Sequence, residues 1–129
     1  MDYEWLSLRD ALAAHEEQIA EHGGADGVRD QGLLESALAR PQNLLAYGKP
    51  DFADLAAAYA AGIARNHPFV DGNKRTAWLM AVTFLDLHDF EVTADPVGAL
   101  QAMLALAEGS IDEKDSAAWL RPSLKPLRP

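Results

Sequence analysis

The chain contains no cysteine, which excludes a disulfide framework and thiolate metal sites and is compatible with a reducing cytoplasm. No uninterrupted apolar stretch approaches the roughly 18 residues needed to cross a bilayer. The N-terminus shows no basic region followed by an apolar core, so no signal peptide is expected. Positive charge is scarce: 11 basic residues face 20 acidic ones, a formal charge of −9. Sequence-neutral attraction to DNA or RNA is therefore not expected. There is no Gly-x-x-x-x-Gly-Lys-Ser/Thr loop and no Gly-x-Ser-x-Gly elbow. His15, His22 and His88 lack His-x-x-x-His spacing, and His15-Glu16 is not followed by the second histidine of a zinc protease. Internal repeats and low-complexity segments are missing as well.

What remains is 129 residues, 49% apolar and 24% charged. That balance predicts one globular domain over 1–129, large enough to bury a real core. Ser7-x-x-Asp10 resembles a capping box, opening a helix over 8–21 that Gly23-Gly24 stops. Leu8, Ala11, Leu12, His15, Ile19 and His22 trace its expected inward stripe. A turn-rich connection from Gly23 to Gly32 precedes a short helix near 33–39, ended by Pro41. Asp51 is placed to cap a helix over 52–65, apolar almost all round and so expected at the centre of the fold. Pro68 breaks it at His67, and the next helix spans 73–88. Residues 90–93 form a short extended segment. Asp95-Pro96 opens a helix that Leu100, Met103, Leu104 and Ala107 carry inward until Gly109. A last helix over 112–120 buries Trp119, and the tail to Pro129 is expected to be irregular. Six helices and at most one tiny hairpin make an all-α domain.

The chemistry concentrates in His67-Pro68-Phe69-Val70-Asp71-Gly72-Asn73-Lys74-Arg75, a loop entering the N-terminus of the fourth helix. Unpaired N–H groups and the positive end of the helix dipole favour an anion there. Lys74 and Arg75 sit in the first turn, the wrong end for cations if stability alone were selected. A bound phosphate removes that conflict, which points to a nucleotide polyphosphate in an otherwise acidic protein. His67 suits a general base, since histidine's ordinary pKa lies near neutrality; by itself it also suits a plain helix breaker. Asp71 suits Mg²⁺ and equally a helix cap. Gly72 allows close backbone approach, and Asn73 can donate its amide to phosphate, although Asp-Gly-Asn is also an ordinary turn. Lys74 supplies a point charge and Arg75 a planar fork. Phe69 reads as a core anchor for the loop in preference to a base-stacking platform. Arg65 either touches phosphate or the protein target, or caps the carbonyls of the preceding helix.

His67-Pro68-Phe69-x-Asp71-Gly72-Asn73-x-Arg75 resembles the core motif of the Fic/Doc (Fido) family. Lys74, where most Fic members have glycine, is similar to the Doc branch, the death-on-curing toxins of bacterial toxin–antitoxin pairs. Gly23-Gly24, Val28-Arg29-Asp30 and Gly32-Leu33-Leu34-Glu35-Ser36-Ala37 resemble the N-terminal half of Doc-like chains. The resemblance implies a mostly helical fold and transfer of part of ATP to a protein hydroxyl. The transferred group is AMP in most Fic enzymes. In Doc it is the γ-phosphate, passed to the elongation factor that carries aminoacyl-tRNA.

The resemblance also implies roles for individual residues. His67, Asp71, Lys74 and Arg75 become catalytic, with Mg²⁺ on Asp71; Gly72, Asn73, Lys74 and Arg75 bind ATP. Lys74 occupies the anion hole and reverses the nucleotide. Trp78 stands where Fic motifs often carry a second arginine, which favours phosphoryl transfer; Pro68 and Gly72 are more typical of Fic. Residues 41–54 correspond to the flap that aligns the target. No Ser/Thr-x-x-x-Glu-Gly/Asn inhibitory string is present, so restraint is expected from a separate antitoxin whose C-terminal segment folds onto the toxin. The expected location is the cytoplasm.

Overall fold

A computed structural model describes residues 2–127. Six helices follow in order: α1 (Leu8–His22), α2 (Gln31–Tyr47), α3 (Phe52–Asn66), α4 (Asn73–Leu87), α5 (Pro96–Glu108) and α6 (Glu113–Leu120). Short strands β1 (Phe90–Val92) and β2 (Leu124–Pro126) complete the chain. They pair antiparallel, with Phe90 opposite Pro126 and Val92 opposite Leu124. The all-α expectation holds.

Helix α3 is the axis, because its sequence offers no polar face to water. Every residue from Leu55 to Ala64 is buried, and α2, α4, α5 and α6 all pack on it. Its alanines let those neighbours approach closely. At the tightest point a Cβ on Gly62 would come within 2.9 Å of the Ala37 Cβ, so only glycine fits between α2 and α3. Tyr59 is wholly buried, and its hydroxyl accepts a 2.9 Å hydrogen bond from the Leu6 N–H. Burial pushes that phenol up to about 12.

Five helices start on a capping side chain that accepts a first-turn N–H: Ser7, Asp30, Asp51, Asp95 and Asp112. Ser7, Asp51 and Asp112 form full capping boxes, each satisfying two otherwise orphaned donors. His88 and His15 serve the fold. His88 bonds the Phe84 carbonyl through Nδ1 at 2.7 Å and accepts the Glu4 N–H at Nε2, which holds the N-terminal segment against α4.

The structure corrects the sequence reading in four places. Pro41 does not end α2 but lies inside it, with its ring buried. The carbonyl its missing N–H would have bonded, that of Ala37, lies against Gly62, and burial of the ring offsets the lost bond. The inward stripes of α1 and α5 hold only in part: Ala11, His15 and Met103 are buried as expected, but two of the expected leucines are not. Leu12 and Leu104 are 39% and 44% exposed, while Ala14, Ala99 and Ala102 are buried; small residues mark the faces of closest approach. Trp119 is half-buried and packs edge-on to Trp78 at 5.9 Å. The expected irregular tail instead forms a 3₁₀ turn, Arg121–Ser123, and then β2; its last two residues, 128 and 129, lie outside the described residues.

Arg121 anchors this tail to the start of α3, donating to Asp51 at 2.8 Å and to Asp54 at 3.0 Å. The Arg121 hydrogen bond, helped by the Asp54 N–H, holds the Asp51 carboxyl below the usual carboxylate range. A carboxyl depressed in the folded state stabilises above its unfolded pKa of about 4, and that contribution is lost as pH falls through the folded value. Arg121→Gln is therefore expected to lower Tm at pH 7, with the gap to wild type closing below about pH 4. A Tm difference that persists unchanged in acid would show that the pair is not the source.

Candidate active site

The segment between α3 and α4 is built to hold a fixed shape. His67 closes α3 with φ 48° and ψ 54°, a left-handed conformation unusual for a residue with a Cβ and further restricted by the following proline. It persists because neighbouring groups determine it. Arg29 donates through Nε to the His67 carbonyl at 2.7 Å and through Nη2 to the Asn66 carbonyl at 2.8 Å. The N–H groups of Arg29 and Asp30 both donate to the Pro68 carbonyl, at 2.7 and 3.0 Å, and Val70 N–H donates to the Gly27 carbonyl at 3.0 Å. Val28 and Phe69 thereby form an isolated antiparallel bridge.

Asn73 clamps the loop from the other side. Its Oδ1 accepts the Phe69 N–H and its Nδ2 donates to the Phe69 carbonyl, both at 3.0 Å. The expected phosphate donor thus has its amide engaged inside the loop, and only its backbone N–H remains at the helix start. Phe69 is buried, as expected of a core anchor, and its ring stacks on His15 at 3.9 Å with the planes 2° apart. His15 is itself buried, and its Nε2 lies 2.8 Å from the Asp71 carbonyl oxygen. That oxygen can only accept, so Nε2 carries the proton.

The exposed Asp71 carboxylate accepts from the Gly72 N–H at 2.9 Å and from the Ala25 N–H at 3.3 Å. Gly24 permits this approach. Its φ is +114°, and a Cβ there would stand 2.8 Å from Asp71 Oδ2. The alternative role of Asp71 as a helix cap is not taken up. Gly72 occupies the cap position in the left-handed conformation, and no side chain caps α4. This helix alone among the six begins without one. Its first-turn N–H groups face an end flanked by Lys74, half-buried, and Arg75, exposed. Arg75 Nη1 lies 3.4 Å from His22 Nε2, and the Glu21 carboxylate lies 3.9 Å from the same nitrogen.

Other expected participants fall elsewhere. Arg65 donates to the carbonyls of Leu106, in the last turn of α5, and of Ile111, just beyond it, and not to those of its own helix. The segment 41–54, expected as a loop carrying the flap, is instead the last part of α2, a four-residue connection over 48–51 and the first turn of α3. Asn43 and Leu44, with Arg65 and Asn66, border a cavity of about 310 Å³ beside the end of α3. Among the described residues no group of three or more His, Cys, Asp and Glu could hold a metal. Arg29 and His15 were not assigned to the site from sequence. The glycine-rich stretch ahead of Arg29 signalled a turn, but which loop it would pair with is a tertiary fact.

With an uncapped helix start, a carboxylate presented by two backbone N–H groups and a histidine pinned at a helix end, the motif can be compared with known proteins. The Fic/DOC family model matches residues 5–85, and the chain belongs to that family. It is 48% identical over 95 residues to the Toxin Doc of Mycolicibacterium smegmatis, covering 71% of this chain and 70% of that one. It is 33% identical over 117 residues to the Protein kinase doc of Escherichia phage P1, covering 90% and 92%.

Asn73→Ala leaves the buried N–H and C=O of Phe69 without partners, at a cost of about 1–3 kcal/mol for each group. A fall of about 2–4 kcal/mol in unfolding free energy is expected from urea denaturation, with Asn73→Asp falling less because it retains the acceptor for Phe69 N–H. Equal stability of Asn73→Ala and wild type would remove the clamp from the account.

Proposed function

We propose that this protein is a Doc-type toxin that transfers the γ-phosphate of ATP to a Ser or Thr hydroxyl of a translation factor, the elongation factor carrying aminoacyl-tRNA. Its growth-arresting activity is restrained by a cognate antitoxin in the cytoplasm. The observation that carries this reading is the start of α4: five helices are capped by a side chain, and this one offers free N–H groups beside Lys74 and Arg75. An anion completes both the hydrogen bonding and the charge balance there. The relative named as a protein kinase covers nearly the whole chain, and Trp78 at the second-arginine position of Fic motifs supports phosphoryl over AMP transfer.

In the proposed reaction His67 takes the proton from the acceptor hydroxyl. Its oxygen forms a bond to the γ-phosphorus while the bond to the bridging β,γ-oxygen breaks, and ADP leaves. Lys74, Arg75 and the first-turn N–H groups of α4 hold the phosphate oxygens and stabilise their charge as it redistributes. Arg29 and Asn73 act one step back, keeping His67 and the helix start in fixed relation. Asp71 fits Mg²⁺: its carboxylate is exposed, oriented by two backbone N–H groups and in no ion pair among the described residues. Mg²⁺ characteristically takes one or two carboxylates together with substrate phosphates. When bound it would neutralise phosphate charge.

The second reading is AMP transfer, favoured by Pro68 and Gly72, which resemble Fic rather than the prototype Doc. Mass spectrometry of the translation factor after incubation with ATP separates the two. A gain of one phosphate is expected, reduced about 10²–10⁴-fold by His67→Ala and lost in Lys74→Gly. A gain of AMP mass instead would establish the second reading, and an unmodified factor with growth arrest retained in His67→Ala would favour binding without turnover.

A further inference from the structure

The end of α3 that delivers His67 also borders the cavity of about 310 Å³ lined from α2, α3 and α6. Ala37, Ala61 and Gly62 line it with side chains too small to fill the space between those helices. Arg65 and Asn66, the two residues before His67, form one end of its wall. A second cavity, of about 410 Å³, shares Leu44 and Glu113 with the first and continues to Lys49, Asp54 and Lys114. The two make one groove along α3 from Asn66 back to Asp54, about 18 Å of helix. Four of the chain's 11 basic residues line it: Arg40, Lys49, Arg65 and Lys114.

The carboxylates in and around the groove are already engaged. Glu113 pairs with Arg40, and Asp54 with Arg121 at 3.0 Å. Asp112 and Asp115 each accept the other's N–H at the start of α6. Lys49 and Lys114, by contrast, form no ion pair among the described residues. Arg65 bonds carbonyls, with the exposed Asp112 carboxylate in electrostatic reach. Positive charge left over in a chain of net charge −9 calls for an anionic partner.

We infer that this groove holds an extended acidic segment of the protein that is phosphorylated, its carboxylates meeting Lys49, Lys114 and Arg65; the inference rests on the phosphoryl-transfer reading above. Position selects the substrate as the occupant. In-line displacement brings the attacking hydroxyl to the side of the phosphorus opposite the leaving ADP. The phosphates belong to the start of α4, whereas the groove ends at Asn66, at the other end of the motif loop. At about 3.3 Å per residue the groove admits five or six extended residues, so its occupant lies close in sequence to the hydroxyl at His67. Residues 43–47 are helical and offer no backbone edge for strand pairing. Recognition there rests on side-chain charge.

Steady-state phosphorylation of the intact translation factor by the full chain tests this, with the double variant Lys49→Glu/Lys114→Glu. Both lysines are exposed and lie outside the catalytic loop. The variant is expected to raise KM for the factor about 10-fold or more at low salt, with the difference shrinking as salt is added. Its kcat and its KM for ATP are expected to stay at wild-type values, which a folding defect would not allow. Hexaglutamate is expected to inhibit wild type in competition with the factor and not with ATP, and to inhibit the variant far less. An unaltered KM for the factor, or wild type indifferent to hexaglutamate, would overturn the inference while leaving phosphoryl transfer intact. A six-nucleotide RNA that competes with the factor where hexaglutamate does not would assign the groove to nucleic acid and overturn it equally. A wild type that leaves the factor unmodified would bring down the phosphoryl-transfer reading and this inference together.

Discussion

The pairing of the Asn73 amide with both main-chain groups of Phe69 is the contact on which the rest of the site depends. Helix α4 must begin without a side-chain cap if its N–H groups are to meet a ligand. Gly72 at the cap position costs only a few tenths of a kcal/mol relative to a Ser or Asp cap, and two cations in the first turn add a few tenths more each. Such an end tends to fray. Asn73, the first residue of the helix, reaches back into the loop and ties it to the buried ring of Phe69. Order is thus supplied from inside, and the outer face of the turn is left open.

A second set of contacts approaches the same loop from the opposite direction. Arg29 holds the carbonyls of Asn66 and His67, and His15, stacked on Phe69, holds that of Asp71. Both residues come from segments more than 35 positions earlier in the chain. Their carbonyl partners lie at the C-terminal end of α3 and in the loop, groups that neither helix can satisfy. The loop over 67–72 is therefore fixed by long-range bonds at four of its six residues, His67, Pro68, Val70 and Asp71, and the left-handed backbone of His67 is sustained by them. Beneath all of this lies α3, whose burial on every side gives the loop a rigid floor.

Much of this was legible in the chain. The caps at Ser7, Asp51 and Asp95 are local hydrogen-bond chemistry and appear where the sequence places them. The all-round apolar pattern of 52–65 identified the central helix, and the motif residues identified the loop. What escaped was tertiary. Pro41 breaks a helix by local rules but not when its ring is buried and the freed carbonyl meets Gly62. Leucine outweighs alanine in any count of hydrophobicity, yet Ala99 and Ala102 share the packed face of α5 with Met103 and Leu106 while Leu104 is left outside. Asn73 looked like a phosphate donor because its amide chemistry fits that role; the loop uses that amide first. Arg65 and Arg29 have the same side chain, and only the fold decides which of them serves α5 and which the motif.

A crystal structure with Mg²⁺ and a non-hydrolysable ATP analogue tests the central claim most directly, namely that the loop is already in working shape before ligand arrives. The account predicts phosphate oxygens on the backbone N–H groups of Asn73, Lys74 and Arg75 and the metal on Asp71. It also predicts residues 67–73 displaced by no more than about 1 Å, with the Asn73–Phe69 bonds intact. Phosphates bound away from the start of α4, or a loop that releases the Asn73 amide to reach them, would contradict it.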